Sequence, residues 1–313
     1  MFEIGVESRF GFCYNNIMKI NWGIIELPDS FGAEPNIPLS ELTSFRVGGR
    51  ARFMVRPRSY ETIRDVVSFA KTNGIRLMLL GKGTNVLASD DGFDGIILRF
   101  DTPLHEPVIR GTSVLACCGT SMTALARETV RHGLMGMERL CGIPGTVGGA
   151  CAMNAGAYGA EIKEILKRIR ILRDGTDEWV DVKDGDLGYR KSAFSFPEAI
   201  ALEAEFTLAQ DDGTAYETMQ DCMERRRQKQ PLELPSAGST FKRPEGHFAG
   251  ALIDQCGLKG VTIGGAQVSK KHAGFIVNVG GATEADVSAL IRYVQDVVRE
   301  RTGVELEPEI KRI

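Results

Sequence analysis

The chain has no apolar run near the ~20 residues that a membrane-crossing helix requires. It also has no low-complexity stretch and no internal repeat, which argues against a helical membrane protein, a fibrous chain and a disordered one. Charge of one sign is lacking too. Lys and Arg number 38 against 41 Asp and Glu, for a net charge of −3, and the basic residues are spread out, so a nucleic-acid footprint is not expected. The four histidines, His105, His132, His247 and His272, have no paired spacing, and a metal site is not expected. Seven cysteines (Cys13, Cys117, Cys118, Cys141, Cys151, Cys222 and Cys256) form no C-x-x-C pair, and they read as reduced thiols. The opening MFEIGVESRF carries Glu3 and Glu7 where a secretory signal needs a basic start and an apolar run. The expectation is a cytoplasmic protein, monomeric, with neither membrane nor nucleic acid as partner.

What is present is ordinary globular material, 43% hydrophobic and 25% charged over 313 residues, enough for two or three domains. Residues 1–36 show no sustained period and read as an irregular extension, punctuated by Pro28 and Pro35. Alternation from Ala51 to Val55 predicts a strand, and Ser59 can cap a helix whose Ile63, Val66, Val67 and Ala70 share one face. RLMLL (76–80) and GIILRF (95–100) read as buried strands, giving a βαβ unit that runs directly into Gly81-Lys82-Gly83-Thr84-Asn85. A helix is expected near Thr123 to His132. Others follow from Tyr216 to Arg227, around Phe248 to Cys256, and after the Thr283/Asp286 capping pair, with GFIVN (274–278) as a strand.

Glycines in a loop after a buried strand let backbone N–H groups approach a pyrophosphate, so Gly81 to Asn85 is a phosphate-loop candidate. Its spacing is neither the P-loop nor the dinucleotide fingerprint, and a plain turn is the competing reading. A second cluster, CGIPGTVGGACAMNAGAYGAE, is too rich in glycine for one hairpin and suggests bare backbone against a flat or charged ligand, with a pair of tight turns as the alternative. Arg190, Ser239 and Glu309 each have a bland explanation when taken singly: a solvated charge, a turn residue, a soluble terminus. Ser239 lacks the G-x-S-x-G elbow of a hydrolase.

Nine motifs together are more specific. TSFRVGGRA, LGKGTNVLASD, GIPGTVGGACAMNAGAYG, LGYRKSAFS, RRRQKQP, PSAGSTFKRP, ALIDQCGLKG, GGAQVSKKHAGFIVN and LEPEI resemble, in order and spacing, the UDP-N-acetylenolpyruvoylglucosamine reductases, the MurB flavoenzymes of peptidoglycan synthesis. The likeness runs from about Leu39 to Ile313, and the chain looks like the branch without the inserted substrate-covering loop. It implies an α+β chain with a vanillyl-alcohol-oxidase/PCMH-type FAD-binding fold in two subdomains, 37–100 and 101–208. A substrate-binding domain at 209–303 and a tail at 304–313 with a catalytic glutamate would follow.

By the same resemblance FAD is held non-covalently, since the Gly81 to Asn85 loop contains neither His nor Cys, and NADPH is the hydride donor. Arg46, Gly81, Lys82, Gly83, Thr84, Asn85, Gly142, Gly145, Thr146, Gly148, Gly149, Asn154 and Gly156 would contact FAD. Tyr158, Lys229, Arg243 and Gln267 would face the UDP-sugar. Arg190 and Glu309 would stabilise an enolate and Ser239 would protonate it, with burial raising the Glu309 pKa. Two other readings stay open. A sugar or lactone oxidase on the same flavin fold would share the glycine segments without the Ser239 and Glu309 motifs, and a nucleotide-sugar sensor would need no flavin.

Overall fold

The computed structural model describes residues 26–313. Its first sheet has the order Glu34–Pro38, Arg50–Val55, Phe93–Arg99, Leu77–Leu80. The last three strands are parallel and the first is an antiparallel edge. Phe93–Arg99 is buried along nearly its whole length because the sheet is covered on both faces, and its centre, Ile96-Ile97-Leu98, is accordingly apolar without alternation. Ile96 and Leu98 pack on one side with Ile63, Val66 and Ala70 of the Tyr60–Thr72 helix. Phe93 and Ile97 pack on the other with Leu39, Leu42, Met54 and Ile313. Ser59 Oγ accepts the Thr62 N–H at 3.2 Å and caps that helix, a contact of the kind that contributes about 1 kcal/mol.

The expected βαβ unit is present, with Phe93–Arg99 lying between its two parallel strands. One sequence expectation needs correction here. The irregular extension does not reach residue 36. Residues 1–25 lie outside those described, but Phe31 is buried and Glu34–Pro38 pairs with Arg50–Val55, its prolines tolerated because the strand is at the edge.

The second sheet is antiparallel, in the order Thr176–Asp181, Leu166–Arg173, Ile200–Thr207, Ser113–Cys117, Val108–Arg110. Its inward residues, among them Ile169, Ile171, Leu202, Ala204 and Phe206, share one core with the Tyr60–Thr72 helix. The alternate residues carry charge. Glu203 and Glu205 are buried but matched by Arg170 at 2.7 Å and Arg168 at 2.6 Å, so neither is left as an uncompensated charge. Asp177 accepts both Arg170 of this sheet, at 2.6 Å, and Arg64 of the first unit's helix, at 3.0 Å.

The third sheet, Ser236–Ser239, Phe275–Asn278, Ala266–Val268, Thr262–Ile263, packs against the helices Ala249–Gln255 and Glu284–Thr302. The longer helix opens with the expected capping box at Thr283 and Asp286. Side chains stitch this unit to the first: Ser44 Oγ donates to the Ser236 carbonyl at 2.6 Å and Asn278 Nδ2 to the Phe45 carbonyl at 3.2 Å. The chain then returns, and Lys311–Arg312 pairs in parallel with Val86–Leu87 beside the glycine loop. The content is α+β, as expected.

Candidate active site

A cavity of about 1260 Å³ lies where the three units meet. Pockets for one drug-sized ligand measure about 300–1,000 Å³, so this one has room for a large cofactor with a second molecule beside it. Gly81 to Asn85 line one wall, with Arg46 and the Gly142, Gly145, Thr146, Gly148 and Gly149 segment near them. Gly156, Tyr158, Arg190, Ser239 and Glu309 also line it.

The loop after Leu77–Leu80 is pressed tightly on the chain. At Gly83 φ is +64° and a Cβ would sit 2.2 Å from the Leu42 carbonyl oxygen, so only glycine fits. Among the described residues the N–H groups of Lys82, Gly83 and Thr84 donate no hydrogen bond within the protein, while Lys82 Nζ reaches Ser121 Oγ at 2.8 Å. These donors suit an anionic ligand. Gly83→Ala should lower the unfolding midpoint by several degrees, for a cost of roughly 1–3 kcal/mol, and should yield protein that loses its yellow colour on desalting. Retained colour and an unchanged midpoint would contradict this account of the loop.

The second glycine segment is bonded differently from the first. Thr146 Oγ1 caps the short Val147–Ala152 helix by accepting the Gly149 N–H at 3.2 Å, and the N–H groups of Val147 and Gly148 go to the Thr120 and Cys118 carbonyls. Gly148 and Gly149 therefore border the cavity without offering free backbone donors. Gly148 is small because a Cβ there would lie 3.0 Å from Cys118 Cβ, tighter than ordinary packing allows.

Arg190 sits in the two-residue turn of the hairpin Leu187–Gly188/Lys191–Ser192, with φ +55°, a conformation seldom held by a side-chain-bearing residue away from functional turns. Its Nη1 and Nη2 donate to the Asn154 and Gly156 carbonyls at 3.4 Å each. Nε lies 2.8 Å from Glu309 Oε1, both side chains being mostly buried, at 18% and 15% exposure. The Nε–H is not aligned on that oxygen, so this buried donor has no true acceptor among the described residues. Burial raises the Glu309 carboxyl above its usual range, and Arg190, Lys242 and Lys311 pull it only part of the way back.

Glu309 is fixed by its backbone. Its N–H donates to the Thr240 carbonyl at 2.8 Å and its carbonyl accepts Asn85 Nδ2 at 3.3 Å. Thr240, wholly buried, also anchors the strand end carrying Ser239, its N–H donating to Gly274 O at 2.9 Å. The Ser239 side chain is exposed to the cavity and makes no hydrogen bond among the described residues.

Four assigned contacts are not brought to this cavity. Asn154 is wholly buried, its amide spent on Glu161, Gly188 and Lys163, so it holds the wall rather than touching a ligand. Lys229 is exposed at the end of the Ala215–Lys229 helix. Arg243 is exposed and stacks over Phe248 at 4.0 Å, and Gln267 Nε2 is taken by Thr262 Oγ1 at 2.9 Å. A further cation that lines the cavity is Arg226, overlooked in the sequence although it continues the buried face of Ala215, Met219 and Cys222 at helical spacing. Burial holds its pKa below the usual value, and its Nε donates to Gln230 Oε1 at 3.0 Å.

Comparison with known proteins agrees with this layout. Residues 51–182 match an FAD binding domain family, and residues 230–313 match the C-terminal domain of UDP-N-acetylenolpyruvoylglucosamine reductase. A UDP-N-acetylenolpyruvoylglucosamine reductase from Exiguobacterium sibiricum is 45% identical over 278 residues, 88% of this chain and 91% of its own. One from Clostridium botulinum is 43% identical over 276 residues, again 88% of this chain and 90% of the relative. The crystal structure of the MurB enzyme from Thermus caldophilus superposes with a TM-score of 0.77 at 32% identity, covering 90% of this chain and 98% of that one. Similarity at this level, sustained across both the flavin-binding units and the C-terminal domain, means that the chain belongs to the MurB family of FAD-dependent oxidoreductases, the UDP-N-acetylenolpyruvoylglucosamine reductases.

Proposed function

We propose that the protein reduces UDP-N-acetyl-3-O-(1-carboxyvinyl)-glucosamine to UDP-N-acetylmuramate with NADPH as the donor, a step of peptidoglycan precursor synthesis in the cytoplasm. The observation that carries this reading is the meeting of the Arg190–Glu309 pair and the Ser239 hydroxyl in the cavity bordered by both glycine segments.

The residues present fit FAD: the unpaired N–H groups of Lys82, Gly83 and Thr84 would receive its pyrophosphate, and Arg46, Gly142, Gly145 and Thr146 would border the rest. Bound FAD supplies the relay of a hydride from NADPH to the vinyl carbon of the acceptor. It is held without a covalent bond in this reading, since Cys118, which lines the cavity, has its thiol pushed well up by burial and carries little thiolate.

Hydride addition to the vinyl terminus leaves negative charge on the carbon beside the substrate carboxylate. Arg190 answers that charge with a planar donor edge, its buried Nε–H having no aligned acceptor among the described residues. Glu309 contributes as the protonated acid, which its raised pKa favours, donating to the enolate where a carboxylate would repel it. Ser239 delivers the proton to carbon from a hydroxyl with no competing partner among the described residues. Arg226 and Tyr158 line the same cavity, and Arg226, unpaired with any carboxylate among the described residues, would supply positive charge for the diphosphate in place of Lys229 and Arg243.

The test is anaerobic. NADPH should bleach the visible band of the purified yellow protein, and the enolpyruvyl sugar, but not UDP-N-acetylglucosamine, should restore it. Restoration by oxygen with no response to the enolpyruvyl sugar would favour an oxidase, and colourless, unresponsive protein a sensor.

A further inference from the structure

We infer that Asn154 is a positioning residue that sets where Arg190 stands, an inference resting on the catalytic reading of Arg190 above. Both hydrogens of its amide are spent inside the protein, on Glu161 Oε2 and on the Gly188 carbonyl, each at 3.0 Å, and its Oδ1 accepts the Lys163 N–H at 2.9 Å. Gly188 is the strand residue that leads into the Tyr189-Arg190 turn, so the side chain pins the base of the hairpin. The Asn154 backbone grips the other end of the same element, because its carbonyl faces Arg190 Nη1. At 3.4 Å the two guanidinium bonds to Asn154 and Gly156 are long, so the hairpin anchor has to carry the placement that they only finish.

The residue type follows from this double duty. The position needs φ of +41°, which asparagine tolerates better than most, together with two donors and an acceptor on a short side chain. Aspartate would supply the shape but not the donors, and would set a second carboxylate against Glu161. Burial pushes the Glu161 carboxyl up, yet hydrogen bonds from Lys163 and Asn154 outweigh it and hold it below the usual range. With its outer nitrogens turned to the Asn154 and Gly156 carbonyls, the guanidinium presents its Nε edge to Glu309 and the cavity.

The experiment compares Asn154→Asp, which keeps the shape, and Asn154→Gly, which keeps the left-handed backbone and deletes the side chain. Each is made in the parent and in an Arg190→Ala background. Read out are flavin retention, bleaching by NADPH, return of colour with the enolpyruvyl sugar in a single turnover, and calorimetric binding of that sugar to the oxidised protein. A displacement of about 1 Å at a positioned group slows the dependent step about 10²-fold, and that is the loss expected for colour return in the parent background, with sugar binding about tenfold weaker. Flavin retention and NADPH bleaching should stay within about threefold, and in the Arg190→Ala background the same substitutions should add less than about threefold, since coupled residues are not additive.

A loss of equal size in both backgrounds, or one spread evenly over the two half-reactions, would mean that Asn154 serves only the fold and would overturn the inference. Full activity of both Asn154 variants alongside a slow Arg190→Ala would overturn it alone. A fast Arg190→Ala would instead remove the catalytic reading of Arg190, and this inference with it.

Discussion

Replacing Ser239 by alanine should leave NADPH bleaching of the flavin within about twofold of the parent while slowing the return of colour on adding the enolpyruvyl sugar by about 10³-fold, within the 10²–10⁴ range of a lost general acid. The selectivity follows from the structure. The hydroxyl is exposed to the cavity and bonds nothing among the described residues, so its removal leaves no buried partner unsatisfied and costs the fold little. The strand end is held instead by its neighbour Thr240, whose N–H and hydroxyl bond Gly274 and Ile276 and whose carbonyl holds Glu309. Ser239→Cys, which keeps a transferable proton, should recover part of the rate. Stopped-flow absorbance under anaerobic conditions separates the two halves. Equal slowing of both, or none, would remove Ser239 from the proton-delivery role.

Glu309 gives the second large effect, and its sign can be worked out. A carboxyl whose folded pKa is raised above the ordinary ~4.3 binds its proton more tightly in the folded than in the unfolded chain. The stabilisation from the protonated form is complete below the unfolded pKa and lost as pH rises through the folded one. Catalysis that uses the protonated acid should fall over the same alkaline limb. Glu309→Gln, an uncharged donor at every pH, should flatten that limb in the colour-return step and keep the rate within about tenfold at its acid end. Glu309→Ala should lose about 10²–10³-fold, as for a missing oxyanion donor. The glutamine variant should also gain stability relative to the parent as pH rises through the Glu309 pKa, measured by unfolding midpoints across pH. If Gln and Ala fail alike, the carboxylate acts by steering Arg190 across the 2.8 Å contact rather than by donating.

The elements that sequence reading recovers are those governed by local rules. The Ser59 cap, the Thr283/Asp286 box and the period of the Glu284–Thr302 helix are written in neighbouring residues, and each is found where expected. The insertion of Phe93–Arg99 between the strands of the βαβ unit is a tertiary choice that no local pattern encodes. The short edge strand Glu34–Pro38 was hidden by its prolines. Within the cavity the same division holds. Gly83 and Arg190 lie in motifs whose spacing is informative, and both line the cavity. Arg226 was missed for a different reason: a motif with three adjacent arginines does not say which one points inward, whereas the buried stripe of its helix does. Asn154 shows the reverse error, since a motif position beside a ligand wall was read as contact when burial and full hydrogen bonding make it scaffolding.

The Ile313 side chain fills the same small core as Leu39, Leu42 and Ile97, and its backbone bonds Leu87 and Ser89. A ribosome that has just passed residue 100 has therefore made every strand of the first sheet while the plug for its far face is still more than two hundred codons away. During synthesis that face must wait incompletely covered, a long-range dependence of the kind that slows folding and invites chaperone binding. Replacing Ile313 by aspartate should therefore interfere with the sealing of this amino-terminal core rather than merely alter the surface.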